Sequence, residues 1–263
     1  MNSMILLVIG VLVLIYLAFK FIKKVIWLVL SIVIIIVLMF ASVFGLVYYD
    51  FKQLSEQKDI SINLVYTKSD EAQFGVSILM KEGNVDKESL SSISKTDLKS
   101  FEKKVPDSDS GTYVVYMSDS MFDSLVEGEV FSVSDFLSDK TYSKYNLDLT
   151  GKDVKKIIDS KDSTNTLVKT LFKKNNMTSA EAQLIEPIIK EQITSSLEKQ
   201  NLGLKEALFL LVIQKSVTDQ NKVLDLVEGY KDETITIEPE RLTFSLIKWL
   251  PSGIIQSFLE KIV

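Results

Sequence analysis

Three Ser-x-x-Lys pairs carry the spacing that could support nucleophilic chemistry. A lysine one helical turn after a serine can accept the hydroxyl proton when the amine is desolvated. The pairs are Ser92 with Lys95, Ser100 with Lys103, and Ser196 with Lys199. Three matches in a chain rich in serine and lysine show that the pattern arises easily, and no Ser-Asp-Asn or Lys-Thr-Gly partner follows. We therefore interpret all three pairs as solvated surface and predict no catalytic residue.

Carboxylates are the other groups that could carry chemistry. Glu127 with Glu129 and Glu238 with Glu240 are close acid pairs, of the kind that glycosidases or metal sites use. Glutamates that flank turns are common, so the sequence favours an ordinary surface role. Asp107 and Asp109 resemble the start of a calcium loop, but the glycine and the twelfth residue do not fit. No metal or cofactor is predicted.

Composition excludes several classes of function. The chain of 263 residues contains no cysteine and no histidine, so zinc fingers, thiolate nucleophiles, Ser-His-Asp triads and disulfides are impossible. Its net charge is −5, and Arg241 is its single arginine. Such a chain repels nucleic acid and has little capacity for bidentate recognition of phosphate or guanine. Nucleic acid is therefore not an expected partner.

The N-terminal fifty residues are almost entirely apolar and predict a membrane protein. Two apolar runs, about 4–22 and 25–49, are each long enough to cross the hydrocarbon core as a helix. One continuous helix would place Lys20, Lys23 and Lys24 near the bilayer centre, at a cost of roughly 2.5–3.5 kcal/mol for each lysine. We expect a transmembrane helical hairpin instead, with the three lysines at one interface.

The lysine bias of the short loops predicts the orientation of this hairpin. Lys20, Lys23 and Lys24 occupy the junction, which therefore belongs in the cytoplasm. The polar remainder would then be extracytoplasmic. The inverted orientation and a cleaved signal peptide are the alternatives, although the sequence lacks a basic n-region before the first run. Tyr48 and Tyr49, at the outer end of the second run, are expected at the membrane interface.

Residues 51–150 alternate between strand and helix patterns. Ile60–Thr67, Phe74–Met80 and Thr112–Met117 are predicted strands because they alternate in polarity or are rich in β-branched and aromatic residues. Lys87–Lys104 is predicted as a weak helix. We expect α+β structure in this region.

Residues 151–263 are predicted to be mainly helical, ending in a β-hairpin and an amphipathic helix. Thr178 and Glu181 form a capping box at the start of one long helix. Residues 233–247 alternate on both sides of a Pro-containing turn, which predicts the hairpin. Residues 252–263 form an apolar helical face next to Trp249. This face either packs on the domain core or lies on the membrane surface, and in the second case Trp249 and Phe258 are interfacial residues.

The sequence thus predicts an α+β protein with three parts: a two-span transmembrane hairpin (1–50), an α+β region (51–150) and a helix-rich region (151–263). We expect a multi-pass membrane location and a role in binding, assembly or envelope organisation. The expected partners are membrane lipid or another membrane or envelope protein. A lipid-binding module is the first alternative, and a hydrolase that uses Ser/Lys or carboxylate chemistry is the second.

Overall fold

The computed structural model describes residues 46, 48–50, 52–53, 57, 59–81, 84–107, 110–134 and 146–262. The chain divides into two compact units, Met1–Leu54 and Ser55–Val263. In the first unit, the described residues are helical. Within the described ranges, no helix is both long enough and apolar enough to cross a bilayer. The predicted spans and Lys20, Lys23 and Lys24 lie outside those ranges, apart from Leu46, Tyr48 and Tyr49 at the end of the second span.

The second unit is built around a mixed five-stranded sheet with the order β3-β2-β1-β4-β7. Strands β1 and β4 are parallel, and every other neighbouring pair in this sheet is antiparallel. A small second sheet pairs β5 with β6. The strands are β1 (Asp59–Lys68), β2 (Glu71–Lys81), β3 (Asn84–Ser92), β4 (Thr112–Ser118), β5 (Val130–Ser132), β6 (Asp148–Thr150) and β7 (Ile235–Glu238).

Nine helices accompany these strands in the described part of the second unit. They are α1 (Lys95–Phe101), α2 (Asp119–Val126), α3 (Gly151–Asp159), α4 (Ser163–Lys174), α5 (Ser179–Lys199), α6 (Leu204–Thr218), α7 (Gln220–Lys231), α8 (Leu242–Trp249) and α9 (Ser252–Ile262). The predicted capping box is confirmed, since Thr178 and Glu181 satisfy each other's backbone amides at the start of α5.

The main hydrophobic core lies between one face of the large sheet and the helices. Tyr66 stacks on Phe74, and Phe122 and Phe209 meet the Tyr66 ring edge to face. Apolar residues of α3, α4, α5 and α6 join the same cluster. The opposite face of the sheet packs on α1 through a smaller cluster that includes Leu98. Both halves of the second unit therefore share one core, and the expected α+β class is confirmed.

The predicted β-hairpin at residues 233–247 is wrong. Its first arm is β7, but β7 pairs with β4, and the second arm is helix α8. Phe244 and Ile247 are three residues apart, and both pack on the main core, which a helix allows and an alternating strand would not. Phe244 meets Tyr113 with 5.9 Å between ring centroids. Packing on the core therefore overrides the alternating pattern.

The predicted helix at Lys87–Lys104 is also wrong in its first part. Residues up to Ser92 form β3, which pairs with β2, and only Lys95–Phe101 is helical. Ser94 caps that helix by accepting a hydrogen bond from the backbone of Asp97. The apolar spacing from Leu90 onward resembles a helix, but the pairing of β3 with β2 decides the structure.

Candidate functional site

The candidate site is built on helix α3, whose start is fixed by a close backbone approach and a capping box. A Cβ on Gly151 would lie 1.8 Å from the carbonyl oxygen of Val126. Only glycine therefore lets the first turn of α3 lie against the end of α2. Thr150 and Asp153 then satisfy each other's backbone amides. Val154, Ile157 and Ile158 of α3 are buried in the core, which turns Lys152 and Lys156 outward and leaves Lys155 half-buried.

Lys155 forms the centre of an ion-pair cluster that joins three elements. Its Nζ atom contacts Asp119 and lies 2.8 Å from a carboxylate oxygen of Asp123, both on α2. It also donates a hydrogen bond of 3.3 Å to the hydroxyl of Tyr66 on β1. The Tyr66 hydroxyl in turn donates to Asp119. The cluster therefore holds α2, α3 and β1 together.

A second lysine extends the cluster to the end of α3. Asp159 lies 3.9 Å from the Lys155 Nζ atom and accepts a hydrogen bond of 2.6 Å from Lys68. Two lysines thus alternate with three aspartates along one edge of the unit. Among the described residues, no group of acidic side chains is arranged to hold a metal ion.

The electrostatics of the cluster keep Lys155, Asp119 and Tyr66 in their ordinary charge states. Burial lowers the pKa of Lys155, but its hydrogen bonds to Asp119, Asp123 and Tyr66 outweigh this effect and raise the pKa. Burial likewise raises the pKa of Asp119, yet hydrogen bonds from Lys155 and Tyr66 hold it below its usual range. Burial and the hydrogen bond to Asp119 raise the pKa of Tyr66. At neutral pH the ammonium and the carboxylate are therefore charged, and the phenol is neutral.

An open cleft of about 990 Å³ lies beside this cluster, between α2, α3 and the start of β5. Lys155 and Asp123 form part of its wall. Gly128, with φ of +74° and open space where a Cβ would be, turns the chain along the rim. Exposed Ser124 and the half-exposed apolar side chain of Val130 also line the cleft.

The charged groups that face the cleft differ in whether they have partners. Glu129 pairs with Lys215 at 2.7 Å, and Asp123 pairs with Lys155. Exposed Lys152, Lys156 and Glu127 also line the cleft, and none of the three forms an ion pair with another described residue. Lys152 and Lys156 are four residues apart, so they project from the same side of α3. The cleft therefore presents two lysines and one glutamate to solvent.

The Ser/Lys pairs lie away from this cleft. Lys95, Lys103 and Lys199 are all exposed, so none has the desolvated amine that the chemistry requires. Ser92 accepts a hydrogen bond of 3.0 Å from the backbone of Gly203, and Ser100 donates to the carbonyl of Asp97. The Ser92 hydroxyl thus joins β3 to the start of α6, and the Ser100 hydroxyl bonds within its own helix.

The acid pairs have different surroundings. Glu127 and Glu129 both line the cleft. Glu238 lies on β7, while Glu240 bonds to Lys248 and Tyr230. The sequence reasoning did not find the cluster around Lys155. Only the spacing of four residues between Lys155 and Asp159 on an amphipathic helix indicates part of it in the sequence.

The expected interfacial residues are exposed where the structure describes them. Tyr48 and Tyr49 are exposed in the first unit, and Trp249 is exposed at the end of α8 in the second. Phe258 belongs to α9, and its side chain lies outside the described part. Their placement at a membrane interface remains a prediction.

Comparison with known proteins gives no family for this chain. No family model matches it, and no curated protein matches it. One similar solved structure is that of the Lin1025 protein from Listeria innocua, at 13% identity, with a TM-score of 0.25 over 53% of this chain and 81% of that chain. A likeness of that size carries no argument about fold or function.

Proposed function

We propose that this protein is a membrane-anchored binding protein that docks a polypeptide partner in the cleft between α2 and α3. The observation that carries this proposal is the difference in ion pairing between the charged residues that line the cleft. Lys155 is fully engaged by aspartates, while Lys152, Lys156 and Glu127 have no ion-pair partner among the described residues. The engaged groups stiffen the wall, and the other three remain for the partner.

The electrostatics of the cluster support binding over catalysis. A general base or nucleophile needs a pKa close to the working pH. The pKa values of Lys155 and Tyr66 are raised, and that of Asp119 is lowered, so each moves further from neutrality. None of these groups gains the ability to exchange a proton at neutral pH. Their role in the proposal is to fix the geometry of the cleft.

The size and charge of the cleft support a polypeptide as the partner. Its volume of about 990 Å³ would hold either a small molecule or a chain segment, but its open shape would leave much of a small molecule in water and therefore suits a chain segment. Lys152 and Lys156 would bind carboxylates of the partner, Glu127 would bind one cation, and Val130 would give an apolar contact at the rim. Paired charges of both signs set the orientation and selectivity of such a complex.

The N-terminal sequence supports the membrane part of the proposal. Its two apolar runs would anchor the chain, and Lys20, Lys23 and Lys24 would hold the connecting turn in the cytoplasm. Residues 55–263 would then be extracytoplasmic, where the partner is a membrane or envelope protein. This location favours a role in assembly or envelope organisation.

Site-specific photo-crosslinking in intact cells tests the proposal. A photoreactive residue at Ser124, in the cleft, should give a discrete crosslinked product, and the same residue at exposed Lys161, which is not among the cleft-lining residues, should not. The double variant Lys152→Gln and Lys156→Gln should remove the Ser124 product, while Lys161→Gln should leave it unchanged. Equal products from both positions, or a product that survives the double variant, would contradict the proposal.

A further inference from the structure

An exposed apolar surface lies where α8 passes into α9. Its members are Trp249, Leu250 and Ile254, which we call the C-terminal apolar patch. The Trp249 side chain is 84% exposed and that of Ile254 is 43% exposed. Trp249 and Leu250 are consecutive in the chain, and exposed apolar side chains that are grouped can mark a contact surface, unlike ones scattered singly.

The structure holds this patch in a fixed position. Ile255, the neighbour of Ile254, is buried, and α9 packs on α7. The Nζ atom of Lys231 on α7 donates a hydrogen bond of 3.0 Å to the hydroxyl of Ser252 at the start of α9. One side of α9 is therefore bound to the core, and the patch faces outward beside it.

Charge is directed away from the patch. Lys248, next to Trp249 in the chain, lies 3.2 Å from Glu240 and 3.8 Å from Glu233. Its Nζ atom is also 5.0 Å from the centre of the Tyr230 ring. The charge of Lys248 is thus neutralised by carboxylates of the same unit. The patch presents an indole and two aliphatic side chains, and its attraction to any partner is mainly apolar.

The chain itself indicates what covers the patch. The apolar N-terminal segment ends at Tyr49, and only residues 50–58 separate it from Asp59, the first residue of β1. Nine residues span at most about 32 Å when fully extended. A unit of 209 residues has a radius of gyration of about 17 Å. A bilayer that held the N-terminal segment would therefore lie within about 32 Å of Asp59, and the surface of the unit would meet it at high effective concentration.

We infer that the C-terminal apolar patch inserts into the interface of the same bilayer that anchors the chain. This inference rests on the proposed membrane anchorage and concerns a surface other than the cleft. Tryptophan favours the boundary between headgroups and acyl chains, where its ring is partly buried and its N–H stays hydrated. Because Lys248 is neutralised, the contact does not require anionic lipid. The unit then has a second contact with the membrane, which restricts its orientation.

Tryptophan fluorescence of the full-length chain tests this inference. The chain has two tryptophans, so the Trp27→Phe variant leaves Trp249 as the only one. This variant is reconstituted into phosphatidylcholine vesicles with and without brominated phosphatidylcholine. We expect a blue-shifted emission and a loss of fluorescence with the brominated lipid. Addition of phosphatidylserine or of high salt should not change either result.

A matched control places tryptophan at another exposed apolar position. Leu184 on α5 is exposed, so Leu184→Trp, combined with Trp27→Phe and Trp249→Phe, should keep its fluorescence with the brominated lipid. A spin label on the Ile254→Cys variant gives a second reading of depth, because the chain has no other cysteine. Circular dichroism identifies any variant that fails to fold.

The outcomes separate this inference from the proposed anchorage. Vesicle flotation is measured first, and a protein that does not float contradicts the anchorage and the inference together. A protein that floats while Trp249 stays unquenched and the label at position 254 stays in water overturns the inference alone. A third outcome is that the brominated lipid does not quench Trp249 and its emission changes with the protein-to-lipid ratio. That outcome would show that a second copy of the protein covers the patch, and it would also overturn the inference.

Discussion

Helix α3 carries lysines in two opposite situations. The side chain of Lys155 is only 19% exposed, and it contacts Asp119, Asp123 and the Tyr66 hydroxyl. Lys152 and Lys156, on the same helix, are exposed and face the cleft without an ion pair to any described residue. Residue type therefore does not decide the role of a lysine here. The surroundings make Lys155 a structural residue and leave the other two without an ion pair among the described residues.

Lys152 also has an unfavourable position for stability. It is the second residue of α3, where the helix dipole disfavours a cation by about 0.3 kcal/mol when the exposed charge is screened by salt. Lys156 stands four residues later, and like charges at that spacing repel. A residue that does not help the fold but faces a cleft is consistent with a role in binding.

The largest expected effect follows the loss of Lys155. Lys155→Met leaves Asp119 and Asp123 without their cation, and we expect the free energy of unfolding to fall by about 2–3 kcal/mol. This value is below that of a fully buried pair because Asp119 is 32% and Asp123 52% exposed. Urea unfolding of the full-length chain in detergent measures it. Lys152→Met is the control, with an expected change within about 0.5 kcal/mol, and equal losses would contradict the comparison.

Removal of the Tyr66 hydroxyl should have a smaller effect. Tyr66→Phe keeps the stacked ring and deletes the hydrogen bond to Asp119, at a cost of about 1 kcal/mol. Tyr66 and Lys155 both contact Asp119. The loss of unfolding free energy in the double variant Tyr66→Phe with Lys155→Met should therefore differ from the sum of the two single losses by at least about 0.5 kcal/mol. Strict additivity in the same urea experiment would show that the two residues do not act as one cluster.

Acid should weaken the cluster by protonating Asp119. The pKa of Asp119 is lowered in the folded chain, so its stabilisation is complete above the unfolded pKa of about 3.9 and is lost as pH falls through the lower folded value. We expect the unfolding free energy of the wild-type chain to fall more steeply below about pH 4 than that of Asp119→Asn. Parallel pH profiles for the two proteins would contradict this account of Asp119.

The smallest expected effect on stability comes from the lysines of the cleft. Lys152→Gln with Lys156→Gln should change the free energy of unfolding by no more than about 0.5 kcal/mol. The same variant should lose the Ser124 crosslink in cells. Binding and stability are thus expected to separate at these two positions and to change together at Lys155. A large fall in the unfolding free energy of the double variant would show that Lys152 and Lys156 stabilise the fold as Lys155 does, which would contradict the comparison.

Local patterns were sufficient to predict much of the fold. β1, β2 and β4 alternate or are rich in β-branched residues, and α3 to α7 follow helical periodicity, with a capping box recognised in the sequence at Thr178. The errors fall where distant contacts decide. β3 depends on its pairing with β2, and α8 depends on the packing of Phe244 and Ile247 on the core. Neither contact leaves a local pattern in the sequence.

The candidate site could not be predicted in the same way. Tyr66 and Lys155 are 89 residues apart, and their hydrogen bond exists only because the core brings β1 against α3. The close approach at Gly151 depends on Val126 of another helix. Lys152 and Lys156 look like ordinary surface lysines in the sequence. Their difference from Lys155 becomes visible only when the neighbours of each side chain are known.

Cysteine labelling at the cleft tests the central claim most directly. The chain has no cysteine, so Ser124→Cys and, as a control, Lys161→Cys each provide a single thiol at an exposed position. A membrane-impermeant maleimide should react with both variants on intact cells. The ratio of the Ser124→Cys rate to the Lys161→Cys rate should be lower on cells than in purified protein, because the partner covers the cleft on cells. Failure of both to react without permeabilisation would contradict the extracytoplasmic location. An unchanged ratio of rates would contradict an occupied cleft.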